Sequence, residues 1–243
     1  MIRSLSIIIP LYNEERRINL CLFKILYFLK KIKKKIKIEI IFVDDGSTDN
    51  SRLLIKNFIN KNNINSKILV LKKNFGKGKA IKAGIQKANY KWVLTCDLDM
   101  SVSLFELFKW LKNNYINSKY EIYFGSRQHI RSRVTAKFYR AFLGKILQIL
   151  INFILKIKVK DTQCGFKLYK TEIAKLIFNK LKNSGFEHDL EVILLAKIKK
   201  KKIKELPVCW KHVPNSKLNI LKHPILMLIG IFILKFRYIK NIY

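Results

Sequence analysis

The feature that most constrains the fold is an alternation of short apolar segments with longer amphipathic segments in the first half of the chain. Four apolar segments are typical of buried strands: Ser4 to Pro10, Lys37 to Val43, Ser66 to Leu71 and Lys91 to Cys96. Helical periodicity follows the first of them, with a shared stripe of Ile18, Cys21, Leu22, Ile25 and Leu29, and a further helix is predicted from Gly78 to Ala88. Strands that alternate with helices predict an α/β fold with a mostly parallel sheet, covered on both faces.

Two acidic residues follow the fourth predicted strand, in a chain that has 16 Asp and Glu against 50 Lys and Arg. Ligands of parallel sheets bind at the carboxyl ends of the strands. Side chains alternate along a strand, so Asp97 and Asp99 are expected on the same face. Two carboxylates this close repel each other unless a cation lies near them. Mg²⁺ or Mn²⁺ suits such a pair, because these ions combine one or two protein carboxylates with water and substrate phosphates.

Further polar segments end the first two predicted strands. Gly46 permits a tight turn, and the residues Ser47 to Asp49 can cap the next helix. Capping does not explain Asp44 and Asp45, whose carboxylates can accept hydrogen bonds from ribose hydroxyls and a base N–H. The segment Asn74 to Ala80 lacks the Walker pattern. Its glycines still let the backbone approach a ligand, and either Lys77 or Lys79 could face a diphosphate.

The formal net charge of +34 favours polyanionic partners: nucleic acid, anionic lipid or phosphorylated substrates. Lys, Ile and Asn are abundant along the whole chain, so a biased composition is one explanation for this charge, and attraction to a membrane surface is the other. The four cysteines form no C-x-x-C pair and are expected to be reduced, mostly buried thiols in a cytosolic compartment. The four histidines have no metal-ligand spacing.

Two apolar segments in the second half bear on membrane association. Residues Ala141 to Ile157 are almost wholly apolar, with one thin polar stripe formed by Lys145, Gln148, Asn152 and Lys156. This pattern is typical of either a core helix or a helix that lies in the membrane interface. The run Ile225 to Leu234 is shorter than the ~20 residues that span a bilayer. We therefore expect no transmembrane helix, and the N-terminus has no signal-peptide pattern.

Seven segments together resemble family 2 glycosyltransferases, in the order in which that family carries them: SIIIPLYNEE, VDDGSTD, NFGKGKAIKAGI, DLDMS, GSR, DTQCGFKLY and ELPVCW...SKL. The pattern is most similar to that of dolichyl-phosphate β-glucosyltransferases and their bacterial polyprenyl-phosphate relatives, and it extends from Ser4 to about Tyr238. The resemblance implies a GT-A fold in a single domain over residues 1–243. The half up to about residue 125 would bind a nucleotide sugar, and the half from about 126 would face the acceptor and the membrane through amphipathic helices.

The resemblance also implies roles for individual residues. Asp97 and Asp99 match the motif for metal and diphosphate, where Leu98 replaces the usual Ala and should only fill the core. Asp189 matches a late acid of the family and is preceded by His188 where relatives usually carry Phe; either a catalytic or an orienting role is open. The positions that match donor-binding segments are Pro10, Tyr12, Asn13, Glu14, Asp44, Asp45, Lys77 and Gly78.

Arginines cluster in the second half, where four of the nine lie within 14 residues: Arg127, Arg131, Arg133 and Arg140. Guanidinium groups bind phosphate in a planar, bidentate manner that Lys cannot reproduce. An anionic acceptor phosphate would need such cations to approach an anionic donor diphosphate. We expect Arg127 and one of the other three to bind the acceptor phosphate; a solvated basic loop is the alternative.

The expected reaction is an inverting transfer of glucose from UDP-glucose to a polyprenyl or dolichyl phosphate, by a peripheral protein at the cytoplasmic face of a membrane. A lipid phosphate is already anionic at neutral pH, so it can attack without a strong general base. GDP-mannose is the alternative donor. A nucleic-acid-binding protein is a remote alternative that rests on charge alone, since the helix-turn-helix, zinc-finger and RNP signals are missing. A membrane protein or a second copy is left open as a partner.

Overall fold

The computed structural model describes residues 2–32, 36–135, 148–185, 187–213, 222–240 and 242, with the backbone alone for 222–228. The elements of the first half are β1 (Ser4–Leu11), α1 (Glu15–Ile32), β2 (Lys37–Asp44), α2 (Ser51–Asn62), β3 (Ser66–Val70), α3 (Lys77–Gln86), β4 (Trp92–Thr95), α4 (Phe105–Lys112) and β5 (Ile122–Ser126). Those of the second half are β6 (Arg133–Thr135), the helical residues 148–155 (α5), β7 (Lys167–Lys170), α6 (Thr171–Lys180), α7 (His188–Ile198), β8 (Ile203–Pro207), β9 (Cys209–Lys211) and α8 (Lys222–Ile239).

Seven strands form one sheet in the order β3-β2-β1-β4-β7-β5-β8. All neighbouring pairs are parallel except those of β7, which runs antiparallel to both β4 and β5. The predicted α/β fold with a mostly parallel sheet is therefore confirmed, and each of the four predicted strands is present with ends within one residue of those expected. Strands β6 and β9 pair as a separate parallel ribbon.

Hydrophobic cores lie on both faces of the sheet. Ile7 and Ile9 of β1 belong to the core that also contains residues of α1, α2 and α4. Ile8 belongs to the other core, with residues of α3, α5, α6, α7 and α8. Successive side chains of a strand point to opposite faces, so a strand buried on both faces must be apolar throughout. This explains the apolar run Ile7 to Ile9, while the buried Ser6 of the same strand is tolerated because its Oγ donates to Glu39 Oε1 at 2.6 Å.

The helices that flank the sheet follow the predicted periodicity. In α1 the predicted stripe is buried at Ile18, Cys21, Leu22 and Ile25, while Leu29 packs partly buried against the same core. Three cysteines are buried and Cys209 is half-buried, all four with free thiols, as expected. Leu98 is buried in the core, which confirms its predicted packing role.

The apolar segment of the second half differs from the expectation. Of the predicted helix Ala141 to Ile157, residues 141–147 lie outside the described residues, and α5 ends at residue 155. The described part of the polar stripe is mixed: Gln148 is buried and donates from Nε2 to the Val159 carbonyl at 3.1 Å, Asn152 is half-buried and Lys156 is exposed, while Lys145 lies outside the described residues. In the part of the chain that the structure describes, no helix is both long and apolar enough to cross a membrane.

Candidate active site

The carboxyl ends of β1, β2 and β4 meet at one edge of the sheet. Leu11 pairs with Asp44 where β1 and β2 end, and Thr95 pairs with Ile8 at the end of β4. Because β7 is antiparallel, its first residue, Lys167, lies beside Thr95 at the same edge. The edge therefore collects loops from both halves of the sequence, including the second-half residue Gly165.

Asp97 and Asp99 lie in a turn rather than on the strand. Strand β4 ends at Thr95, and residues 97–100 form a turn in which the Met100 N–H donates to the Asp97 carbonyl at 3.1 Å. The Ser101 N–H donates to Asp99 Oδ1 at 2.9 Å. We expected strand alternation to place both acids on one face. This reason is wrong, because β4 ends before Asp97 and the turn determines where both acids lie. The turn leaves Asp97 half-exposed at the sheet edge.

Asp97 forms an ion pair with Lys77, whose Nζ lies 2.5 Å from Asp97 Oδ1. Lys77 is the first residue of α3 and follows Gly76, which has φ = 98° and therefore a backbone conformation that favours glycine. Burial lowers the pKa of Lys77, but the charges of Asp97 and Asp189 outweigh burial, so this pKa lies above its ordinary value. Of the two candidate lysines, Lys77 therefore faces the acidic turn, while Lys79 is exposed.

Glycine at position 165 keeps space for the Asp97 carboxylate. A Cβ atom on Gly165 would overlap the carboxylate carbon and both of its oxygens. Gly165 belongs to the DTQCGFKLY segment, just before β7. The backbone of the second half thus bounds one side of a carboxylate that the first half supplies.

Asp189 lies in a cationic environment at the start of α7. Its Oδ1 accepts a hydrogen bond from Lys167 Nζ and lies 3.2 Å from His188 Nε2. Burial favours the neutral acid, but the charges of His188 and Lys167 outweigh it and hold the pKa of Asp189 well below its ordinary value. A carboxylate with so low a pKa is a weak base. Its geometry suits an orienting role better than proton abstraction.

The two acids that end β2 have separate structural partners. Asp44 is fully buried; its Oδ1 accepts from the Ser47 N–H at 2.8 Å and its Oδ2 from Arg52 Nε at 2.9 Å. Asp45 accepts from the N–H groups of Phe75 and Gly76 at 2.9 and 2.8 Å. Burial and the neighbouring Asp44 charge raise the pKa of Asp45, partly offset by those two N–H groups. Asp45 thereby fixes the glycine-rich turn that precedes Lys77.

The loop after β1 is bound to the loop after β2. The Asn13 N–H donates to Ser47 Oγ at 2.9 Å, and the Thr48 N–H donates to Asn13 Oδ1 at 2.8 Å. Asn13 has φ = 52°, a conformation that Asn tolerates better than most residues. Ser47 and Thr48 thus join two loops. The prediction that one of them caps α2 is wrong, because Asn50 is the N-cap residue and has no side-chain cap hydrogen bond; Asp49 contacts the helix start by accepting from the Ser51 N–H at 3.0 Å. Pro10 and Tyr12 flank this junction and are half-buried.

Arg17, which is held by Glu14, adds a positive charge to the same edge. Glu14 accepts two hydrogen bonds from Arg17, at 2.7 and 2.6 Å. The Arg17 pKa is raised, first by the hydrogen bond that Arg17 donates to Glu14 and further by the charges of Glu14, Asp99 and Asp97. Arg17 is therefore a second cation in electrostatic range of the acidic turn.

Arg127 is held by an acid that the sequence analysis did not single out. Asp161 accepts from Arg127 Nε and Nη2 at 2.7 and 2.8 Å, and from its backbone N–H at 2.8 Å. The Arg127 guanidinium lies 5.9 Å from the centre of the Trp210 ring. Burial lowers the Arg127 pKa, but the bonds to Asp161 and the charges of Asp161 and Asp97 raise it above its ordinary value. Arg127 therefore lies within electrostatic range of Asp97.

The other clustered arginines are more open. Arg131 is exposed and donates from Nη1 to the Tyr115 hydroxyl at 3.0 Å. Arg133 begins the short strand β6 and is exposed. Arg140 lies outside the described residues. The structure therefore brings Arg127 to the Asp97 edge and leaves Arg131 and Arg133 with exposed side chains.

Comparison with known proteins identifies the family of this site. Residues 6–178 match the family described as Glycosyl transferase family 2. The chain belongs to this family. It is 36% identical to the dolichyl-phosphate beta-glucosyltransferase of Dictyostelium discoideum, over 98% of this chain and 76% of the relative. It is 31% identical to the Homo sapiens protein of the same name, over 89% of this chain and 70% of the relative.

Solved structures confirm the GT-A fold of this glycosyltransferase. The crystal structure of glucosyl-3-phosphoglycerate synthase from Mycobacterium tuberculosis with UDP superposes with a TM-score of 0.69 at 13% identity, covering 96% of this chain and 80% of that chain. The same enzyme with Mn²⁺, UDP and glucosyl-3-phosphoglycerate gives a TM-score of 0.68. At this identity the likeness concerns the fold alone.

Asp161 and Lys167 are buried, paired charges at the candidate site that sequence reasoning did not single out. Both lie in the DTQCGFKLY segment, which the resemblance had already identified as family-like. For Lys167 the available signal was a charge between the apolar residues Phe166 and Leu168, since a buried charge is tolerated only when it is paired. Asp161 lies among polar residues, so the sequence carried no such signal for it. Lys167 is 2% exposed and Asp161 is 3% exposed, and each is paired with a residue of another segment.

Among the described residues, no group of three or more His, Cys, Asp or Glu side chains forms a metal-binding cluster. Two carboxylates nevertheless fit an ion such as Mg²⁺, which commonly takes one or two protein carboxylates and completes its shell with water and substrate phosphates. Asp97 and Asp99 can supply this part of the shell. The family motif and the chemistry of the donor set are therefore in agreement.

Proposed function

We propose that this glycosyltransferase transfers glucose from UDP-glucose to dolichyl phosphate or a related polyprenyl phosphate. The observation that carries the proposal is the similarity, over nearly the whole chain, to relatives named dolichyl-phosphate beta-glucosyltransferase. The loops at the carboxyl edge of β1, β2 and β4 support a nucleotide-sugar donor, because this edge is where parallel sheets bind ligands. The neighbour with UDP supports the choice of nucleotide.

The donor would lie across the edge from the β2 loop to the acidic turn. The nucleoside would contact the linked loops that contain Tyr12, Asn13 and Asp45, with Pro10, Glu14 and Asp44 shaping them. The diphosphate would lie against the N-terminus of α3, where Lys77 and the backbone around Gly78 supply positive charge. Asp45 supports this position through its bonds to the turn that precedes Lys77.

Asp97 and Asp99 would hold a divalent cation, Mg²⁺ or Mn²⁺, together with the donor diphosphate. When bound, such an ion offsets the negative charge that develops on the leaving nucleotide diphosphate. A neighbour of the same fold that contains Mn²⁺ and UDP supports a divalent cation. The protein residues would contribute position and charge: Asp97 and Asp99 would orient the cation and the donor diphosphate, and Lys77 would face the leaving group.

The acceptor phosphate would approach from the side of Arg127. Asp161 binds the Nε and Nη2 edge of this guanidinium, which leaves the edge with Nη1 for the phosphate. Arg131, Arg133 and Arg140 would supply further charge along the approach. The acceptor oxygen is anionic, so in-line attack on the anomeric carbon inverts the configuration without a strong base. Asp189, with its low pKa, would orient Lys167 and Lys77 rather than accept a proton.

A membrane-facing surface would bring the site to its lipid acceptor. We define the apolar surface as the exposed residues Ile149, Leu150 and Phe153 of α5 with Ile229, Phe232, Ile233 and Phe236 of α8. Both helices also contribute buried residues to the same core, so they cover the same face of the sheet. Exposed apolar residues concentrated on helices of one face of the sheet favour an interaction site on that face, and the net charge of +34 favours anionic lipid. We place the protein peripherally at the cytoplasmic face.

The decisive experiment is a transfer assay with radiolabelled donors and dolichyl phosphate in mixed micelles. We expect label from UDP-glucose in the organic phase and loss of this product when Asp97→Asn replaces the wild type. GDP-mannose serves as the competing donor. A lipid product labelled from GDP-mannose and not from UDP-glucose would contradict the proposed sugar, and the absence of any lipid-linked product would contradict the proposed acceptor.

A further inference from the structure

The Lys77–Asp97 pair is unusual among the buried and half-buried ion pairs of this edge, because it occupies a carboxylate that the donor complex needs. Lys77 Nζ lies 2.5 Å from Asp97 Oδ1, and the two side chains are 22% and 34% exposed. The backbone at Gly165 closes the space against the same carboxylate. A cation that approaches Asp97 must therefore meet the ammonium group already bound there.

We infer that Lys77 is the resident cation of Asp97 in the donor-free protein, and that a divalent metal ion and Lys77 exclude each other there until a nucleotide diphosphate draws Lys77 away. The inference rests on the proposed function and deepens it by stating the order in which the ligands bind. The metal alone binds weakly, and the metal with a nucleotide diphosphate binds tightly.

The backbone that carries Lys77 is fixed on both sides, so only its side chain can make this exchange. The Gly76 N–H donates to Asp45 Oδ2 at 2.8 Å, and the Gly78 N–H donates to the Ser184 carbonyl at 2.7 Å. A Cβ on Gly76 would overlap the Ser184 carbonyl oxygen, so the turn packs closely against the backbone at Ser184. The Lys77 ammonium group can still rotate about its flexible four-carbon stem.

Neighbouring charges decide which partner Lys77 takes. Asp189 also attracts Lys77, but it already faces Lys167 and His188. The Asp97 charge is therefore the main one that Lys77 neutralises. Arg17 adds positive charge near Asp99 and Asp97. Both acids are thus partly compensated before any metal arrives, and a metal ion placed beside Asp97 would be repelled by the ammonium group.

A nucleotide diphosphate removes this conflict. Its phosphate oxygens attract the Lys77 ammonium group as a carboxylate does. In the proposed complex they would lie at the N-terminus of α3, of which Lys77 is the first residue. Metal and nucleotide then favour each other through the same lysine. Such linkage is reciprocal, so each ligand must raise the affinity for the other by the same factor.

The test is a measurement of Mn²⁺ binding by titration calorimetry and by the paramagnetic resonance of free Mn²⁺, with and without UDP. We expect wild-type protein to bind Mn²⁺ weakly alone and at least about tenfold more tightly with UDP. Lys77→Met should bind Mn²⁺ alone about tenfold more tightly than wild type and lose most of the gain from UDP. Lys77→Gln serves as a second variant, and thermal unfolding shows that each variant is folded.

The matched control is Lys79→Met, which removes the same charge two residues away from an exposed position. It should leave Mn²⁺ binding unchanged if the effect is specific to Lys77. The double variant Lys77→Met with Asp97→Asn should lose the gain in Mn²⁺ affinity. Equal effects of Lys77→Met and Lys79→Met, or an unchanged Mn²⁺ affinity in Lys77→Met, would overturn the exchange while UDP-glucose transfer to lipid stands. No Mn²⁺ binding in any variant, with or without UDP, would overturn the metal site as well.

Discussion

Two ion pairs at the same edge of the sheet contrast in exposure. The Lys77–Asp97 pair is partly open, at 22% and 34% side-chain exposure. The Lys167–Asp189 pair is enclosed, at 2% and 10%, and has His188 and the Thr162 carbonyl as further partners. An enclosed pair that loses one member leaves an uncompensated charge, whereas an open pair can exchange partners with solvent or ligand. We therefore expect the enclosed Lys167–Asp189 pair, the inner pair, to stabilise the fold, and the open Lys77–Asp97 pair, the outer pair, to exchange partners with ligands.

The largest expected effect is the loss of stability when the enclosed pair loses Lys167. Lys167→Met should lower the free energy of unfolding by roughly 3–5 kcal/mol, because it removes a hydrogen-bonded cation from the buried Asp189 carboxylate and leaves His188 as its remaining close partner. Lys77→Met should change it by about 1 kcal/mol or less, because that pair is partly solvated. Urea unfolding of both variants measures the contrast. Similar losses in the two would remove the distinction drawn between the inner and outer pairs.

The second effect is on the rate of glucose transfer when the open pair loses Asp97. Asp97→Asn should lower the transfer rate by about 10²- to 10³-fold, as is typical when one preorganised electrostatic group of an active site is removed. Its stability should change little, since Asp97 is half-exposed. Excess chelator on the wild type should have a comparable effect on the rate. Full activity in chelator would contradict the role of a divalent cation while leaving the assignment of the pairs intact.

A third prediction extends the comparison to Arg127 and Asp161. Arg127→Lys keeps the charge but loses the two-bond fork to Asp161, so acceptor KM should rise about tenfold while UDP-glucose binding stays within about twofold. Asp161→Asn should act in the same direction, because it releases the guanidinium that it positions. Arg133→Lys, at an exposed position, is the control. Equal losses in donor and acceptor binding would place Arg127 with the donor groups.

The smallest effect is on membrane binding, which many residues share. Phe153→Glu or Phe232→Glu should lower the flotation of the protein with anionic liposomes at low salt, since both side chains are exposed on the apolar surface. Ile231→Glu is not a clean probe, because Ile231 is fully buried. Leu53→Glu is the matched control: Leu53 is exposed on α2, a helix that packs on the opposite face of the sheet. Unchanged flotation in both Phe variants would show that this surface does not bind lipid.

The sequence by itself determined the parallel core of this protein and the sheet edge that carries the candidate site. The apolar runs of β1, β2, β3 and β4 and the stripe of α1 follow from local periodicity, which needs no knowledge of distant contacts. The acids and glycines that follow those strands indicated the ligand edge for the same reason. The family resemblance, confirmed over residues 6–178, added the GT-A fold.

Only the tertiary structure decided which charges meet. Strand β7 enters the sheet antiparallel between β4 and β5, and so brings Gly165 and Lys167 beside Asp97 and Asp189. Asp161 reaches Arg127 across 34 residues of chain. The turn at Asp97 ended the strand earlier than side-chain alternation assumed. Local pattern sets what a segment becomes, but the partner of a buried charge depends on strand order, and strand order is fixed by packing between segments far apart in the chain.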